Sequence, residues 1–287
     1  MQGVGTVIPD RNGPPRSADS TLAVPADPAG IGGGGRAWSL VFTVASALVI
    51  AGLWELGART GVLNDLYTSR PSDILLEIGP TLTSAEFWEN ARVSGIEIGV
   101  GFGLAVVVGI PLGLILGSYR RLRWMAAPWL DAFNAVPLIA LMPLLIIWFG
   151  VGTTSKVATV FVASVCLILM SSFLGAQAVS YQLLQIGTVF NASPWRRFRA
   201  IVFPSTIPHI LVGLKMSVGS ATVGVIFAES YGADVGIGHL MAQSARNLQT
   251  TDYFVMVTVF TVVGALGYLL VSFVERYVRT WRAPEEA

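Results

Sequence analysis

Long apolar runs alternate with short polar stretches along most of the chain. The runs fall at 38–57, 92–117, 126–149, 156–179, 206–230 and 253–275. A hydrocarbon core about 30 Å thick is crossed by about 20 helical residues, so each run is long enough to span it. The pattern therefore predicts an all-α integral membrane protein with six transmembrane helices and both termini on one side. Residues 1–36 are rich in Gly, Pro, Ser and Asp, end in GIGGGGR, and show no periodicity. They read as a disordered tail. So long a polar lead before the first apolar run does not fit a signal peptide. The membrane domain is expected over 37–280, with a short tail over 281–287.

The second run carries two glycine series at four-residue spacing, Gly95, Gly99, Gly103 and Gly109, Gly113, Gly117. Such spacing makes a smooth stripe that lets another helix approach closely. Gly109 and Gly113, flanking Pro111, are candidates for a gating or pathway-lining helix. Tight structural packing is the alternative.

One insert breaks the apolar pattern, VFNASPWRRFRAIVFP at 189–204. Residues 181–190 read as a short helix, closed by Asn191, a residue that tolerates the left-handed conformation of a helix end. Ser193 is a good N-cap and Pro194 suits the first helical position. A second helix is expected to run to Phe203 and stop at Pro204. Trp195, Phe198 and Val202 share one face of it, and Arg196, Arg197 and Arg199 spread over the rest. Two uses suit this knuckle. It could lie on anionic headgroups, or insert into the groove of a soluble partner.

Composition agrees with the membrane reading. The chain is 53% hydrophobic and 12% charged, with mean hydropathy +0.67, against about 25% charged residues in soluble domains. A net charge of +1 gives no field for nucleic acid. The single cysteine, Cys166, makes neither a disulfide framework nor a metal site. Twelve arginines fall in the N-terminal tail, the loops after spans two and four, and the C-terminal tail; the opposite loops hold five basic residues, Lys156 among them. The positive-inside rule puts the twelve, both termini and the knuckle in the cytoplasm.

Charges inside spans need a reason. Lys215 is expected about 15 Å deep, where it could line the pathway, snorkel, or pair with a neighbouring helix. Glu229, near the outer end of its span, could bond the following loop or act as a gate. Glu97 is expected to reach water, and Asp131 to pair with the nearby Arg120–Arg123 cluster. His209 and His239 have no partner at ligand spacing. The chain contains neither H-E-x-x-H nor G-x-x-x-x-G-K-[ST], which argues against an intramembrane metallohydrolase and against an ATPase. A secondary transporter is the rival reading, although matching halves with broken helices are not evident.

The knuckle resembles the cytoplasmic loop of bacterial ABC importer permeases of type I, with its EAA-x-x-x-G pattern and later I-x-L-P. Gln185, Ile186 and Gly187 stand at the EAA positions, Asn191 at the glycine, and Ile201 to Pro204 at I-x-L-P. The segments IPLGLILGSYRRLRW, PLIALMPLLIIWFGVG and VIFAES…GIGHLM resemble the subgroup serving nitrate, taurine and aliphatic sulfonates, and the likeness covers about 85–280. It implies a channel-forming subunit with no chemistry of its own, in a bacterial inner membrane, carrying a small anionic or zwitterionic solute. It also implies a cytoplasmic ATPase dimer that binds ATP and Mg, an outer solute-binding protein, and a second permease copy, a homodimer in preference to a heterodimer. The coupling helix would use Gln185, Gly187, Asn191, Ser193, Pro194, Trp195, Arg196, Arg197, Phe198 and Pro204. Gln185 in place of Glu and Ile186 in place of Ala imply a reshaped contact or a divergent half of a pair.

Overall fold

The computed structural model describes residues 34–64, 66–231 and 234–279. The tail expected over 281–287 and residues 1–33 of the tail expected over 1–36 lie outside them, as does Asp65; residues 34–36, expected in that tail, open the first helix instead. The chain divides into two units, Met1–Gly52 and Leu53–Ala287. In the first, the described residues form the opening part of helix α1 (Gly34–Arg59).

The second unit is all-helical among the described residues: α2 (Pro71–Thr83), α3 (Ala85–Ser118), α4 (Arg120–Ala135), α5 (Leu138–Phe149), α6 (Thr153–Gln177), α7 (Tyr181–Val189), α8 (Pro194–Arg197), α9 (Phe203–Ser230), α10 (Ile237–Arg246) and α11 (Thr250–Arg279). Among the described residues, five helices are long and apolar enough to cross a membrane, and six if α4 and α5 count as one bent span. That third span is not the straight helix expected over 126–149. It bends by 102° between α4 and α5. Pro137 has no N–H to give the Phe133 carbonyl, which accepts from Val136 instead at 3.3 Å.

Helix α6 sits between α3 and α9. On α3 the contact runs along Gly101, Ala105, Gly109, Gly113 and Gly117, which are buried. A Cβ on Gly113 would stand 2.5 Å from the Leu169 carbonyl oxygen, and one on Gly117 2.5 Å from that of Phe173. The second glycine series is thus a helix-packing seam. The first is not, since Gly95, Gly99 and Gly103 meet nothing within 4 Å. The buried seam runs back from Gly109 through Ala105 and Gly101, and Gly103 stands two residues, about 200° of turn, from each of these, so the first series points away from α6. Apolar packing at the other end gathers Phe87, Val160, Val225, Ile237, Met256 and Phe260.

Two helices were not foreseen. In α2, Glu55 at the end of α1 accepts hydrogen bonds from the Ser72 N–H (3.1 Å) and hydroxyl (2.8 Å), tying the helix start to α1. Helix α10 follows the loop after α9 and buries Ile237, Gly238 and Ser244.

Candidate functional site

The knuckle forms where its sequence places it. Asn191 takes a left-handed conformation, φ +49°. The Ala192 N–H reaches back to the Gly187 carbonyl (2.9 Å) and the Asn191 N–H to that of Thr188 (3.0 Å). This paired closure satisfies carbonyls that the helix end would leave bare. Ser193 then caps α8, its hydroxyl accepting from the Arg196 N–H at 3.3 Å, and Pro194 opens the helix. The two arms are tied by Arg197, which donates to the Thr188 hydroxyl at 3.2 Å. Gly187 is buried beneath this bond, and a Cβ there would meet Arg197 Cγ at 2.9 Å and Ile201 at 3.0 Å.

The second arm does not stop at Pro204. A π-helical turn, Phe198–Val202, joins α8 to α9, and the Phe203 N–H bonds the Phe198 carbonyl five residues back. The wider turn lets the backbone pass a proline that cannot donate, so Pro194–Ser230 is one continuous helix.

The knuckle's tip is apolar and unburied. Phe190 is 80% exposed and Trp195 70%, with Ile186 and Val189 also exposed. Trp195 stacks on Phe198 at 5.7 Å, and Phe198 is half-buried against Phe203. Gln185, Ser193, Pro194, Arg196 and Arg199 are all exposed. Two apolar side chains on a locked turn, ringed by polar and basic groups, form a surface suited to a partner's pocket. Phe190 belongs to that tip. Its place at the end of the first arm, next to Asn191, was the available signal.

At the other end of the same helices lies a buried polar cluster. Glu229 accepts from the Ser94 hydroxyl and from the Gly238 N–H, both at 2.6 Å. The Ser94 oxygen accepts from the Ile237 N–H (2.9 Å) and Asn90 from the Gly236 N–H (2.6 Å). Gly236 has φ +129°, and a Cβ would strike the Glu229 carboxyl at 2.3 Å. Glu229 therefore pins the loop that leads into α10. Glu97 does not reach water: it is fully buried and paired with Lys156 on α6 at 2.6 Å. Lys156 is likewise a buried helix residue that also donates to the Val235 carbonyl (3.3 Å), so it is no loop charge.

Lys215 pairs with Glu275 of α11 at 2.5 Å and lies over the Tyr268 ring. Glu275 stands four residues before the end of α11. Asp131 is exposed; among the described residues it takes no arginine partner. Arg123 turns to the Gly117 carbonyl and Arg120 to the Trp124 ring. Gly109 lies against Ile168, a packing position.

The chain is similar to several transport proteins. It is 27% identical over 82% of its length, and 85% of the other chain, to a protein of Bacillus subtilis (strain 168) named as an aliphatic sulfonates transport permease, SsuC. It is 27% identical to the taurine transport system permease protein TauC of Escherichia coli (strain K12), covering 80% of this chain and 85% of that one. To the formylaminopyrimidine transport permease protein ThiX of Halalkalibacterium halodurans it is 26% identical, over 82% and 93%. Among solved structures it resembles a chain of the MetNI methionine ABC transporter in inward-facing form, with TM-score 0.53, 16% identity and coverage of 71% and 96%. That likeness bears on the fold alone. The family model for binding-protein-dependent transport system inner membrane components matches residues 109–282, more than half of the chain and the whole of the knuckle. The chain belongs to this family of ABC transporter permeases.

Proposed function

We propose that this permease is the channel-forming half of an ATP-driven importer for a small sulfonate-like solute, and that the knuckle is where the ATPase engages it. The observation that carries the reading is the exposed Phe190–Trp195 tip on a turn locked by Asn191, Ser193 and the Arg197–Thr188 bond. An exposed aromatic pair held in one geometry by the turn's own hydrogen bonds is preorganised for a shaped pocket on a soluble partner, whereas a fluid headgroup layer gains nothing from a fixed geometry. ATP and Mg belong on that ATPase, since the chain has no phosphate-binding loop. The arginine distribution supports cytoplasmic termini. A second copy of this chain completes the channel, and an outer binding protein delivers the solute. The names of the Bacillus and Escherichia relatives support the sulfonate class.

The test is purification of the tagged chain from its own host, followed by reconstitution with whatever ATPase accompanies it. ATP-dependent, vanadate-sensitive uptake of taurine or ethanesulfonate in the presence of the binding protein is the expected result. Uptake that ignores ATP and vanadate would overturn the ATPase reading in favour of a secondary transporter. ATP-driven uptake of other solutes alone would overturn the substrate class.

A further inference from the structure

We infer that the space between the α4–α5 break and α9 is a way-station for the transported solute, where Asn134 and Ser220 offer neutral hydrogen bonds to its oxyanion group. The inference rests on the importer reading above and assigns the solute a place on this chain.

Three observations meet there. First, a span that loses helical bonding at membrane depth is tolerated only where the bare backbone is buried in protein or lines a wet cavity. The break at Val136–Pro137 does line cavities. One of about 200 Å³ is bounded by Asn134, Val136, Cys166 and Ser220 among others, and one of about 410 Å³ by Pro137, Met142, Gly219 and Ser220. Ser220 borders both, so they adjoin at its side chain. The larger lies within the roughly 300–1,000 Å³ range of small-molecule sites.

Second, the two polar side chains facing this space have no internal use. On α9, Thr206, Ser217, Thr222 and Ser230 each donate to a carbonyl of their own helix. Ser220, which is half-buried, and Asn134, which is exposed, take no hydrogen-bond partner among the described residues, so both remain available to a solute. They come from different helices, α9 and α4, and border the same cavity.

Third, among the described residues no charged side chain lines either cavity. The nearest rival, Lys215, borders a separate space between α9 and α11 and is already paired with Glu275. A hydroxyl and an amide donor can hold an oxyanion without trapping it, which conduction requires: binding strong enough to enter and weak enough to leave.

The single cysteine of the chain, Cys166, also borders the smaller cavity and so reports on access to it. In the reconstituted permease–ATPase complex, Cys166 would be titrated with three methanethiosulfonates: sulfonatoethyl, trimethylammonioethyl and methyl. The anionic reagent is expected to react faster than the cationic one. Asn134→Leu and Ser220→Ala should each lower the anionic rate about tenfold relative to the methyl reagent, the loss of one hydrogen bond to a charged group. Asn134→Gln should restore most of it. The methyl reagent, measured on the same sample, corrects for any misfolded fraction. An anionic-to-methyl ratio unchanged in both variants, or a Cys166 that none of the three modifies, overturns the way-station. This readout needs no import, so failed taurine uptake would sink the substrate class and leave this result standing by itself.

Discussion

Lys156 on α6 and Glu97 on α3 lie 2.6 Å apart, with both side chains almost wholly out of contact with solvent. Removing one partner strands the other charge, at a cost of about 3–5 kcal/mol for a buried pair. Lys156→Met is therefore expected to lower the melting temperature of the purified chain strongly. Lys156→Met with Glu97→Leu should recover much of the loss. Thermal unfolding in one detergent compares the three proteins, and a double variant as unstable as the single one would contradict the pairing.

The knuckle's tip gives a functional prediction. Trp195→Ala, Phe190→Ala or Phe198→Asp should abolish ATP-driven uptake while the chain remains at normal abundance in the membrane. Anchors of this kind contribute about 2 kcal/mol or more to an interface, enough to release the ATPase on a column. Uptake that survives all three changes would remove the knuckle from the coupling machinery.

Asn191 sits at φ +49°. Glycine adopts that conformation without strain, whereas a β-branched residue resists it at a cost of about 1–3 kcal/mol. Asn191→Gly should leave ATPase retention unchanged and Asn191→Val should weaken it. Equal retention by the two variants would mean that the turn is not needed for docking.

The glycine series of α3 separate into a packed and an open set. Gly113→Ala would place a methyl 2.5 Å from the Leu169 carbonyl, and overpacking of this kind costs about 1–3 kcal/mol. Gly99→Ala meets nothing within 4 Å. Yield of folded, monodisperse protein should fall for the first and hold for the second.

Much of the knuckle was legible because its signals are local. A left-handed Asn, an N-cap serine and a first-turn proline each act within four residues. The span positions were legible because hydrophobic length is local too. Pro204 misled: a proline ends a helix unless the turn before it widens, and the widened turn carries Phe198 against Leu114, Ala176 and Ile210, long-range contacts that leave no local mark in the sequence. The break at Pro137 was missed for the converse reason, since apolar residues on both sides gave one unbroken hydrophobic run. The pairing of Glu97 with Lys156 joins residues 59 positions apart, and the pairing of Lys215 with Glu275 joins residues 60 apart. Single-residue costs pointed to a need for partners without saying which.

The π turn has a mechanical consequence. Because α8 runs into α9 without a joint, Pro194–Ser230 is a shaft of 37 residues, about 55 Å long at 1.5 Å per residue. Trp195 at the knuckle, Ser220 at the cavity and Glu229 at the opposite end therefore all ride on one helix. Had the helix ended at Pro204, a break would separate the first of these from the other two. The third span, interrupted at Pro137, offers no such continuous line from one end to the other.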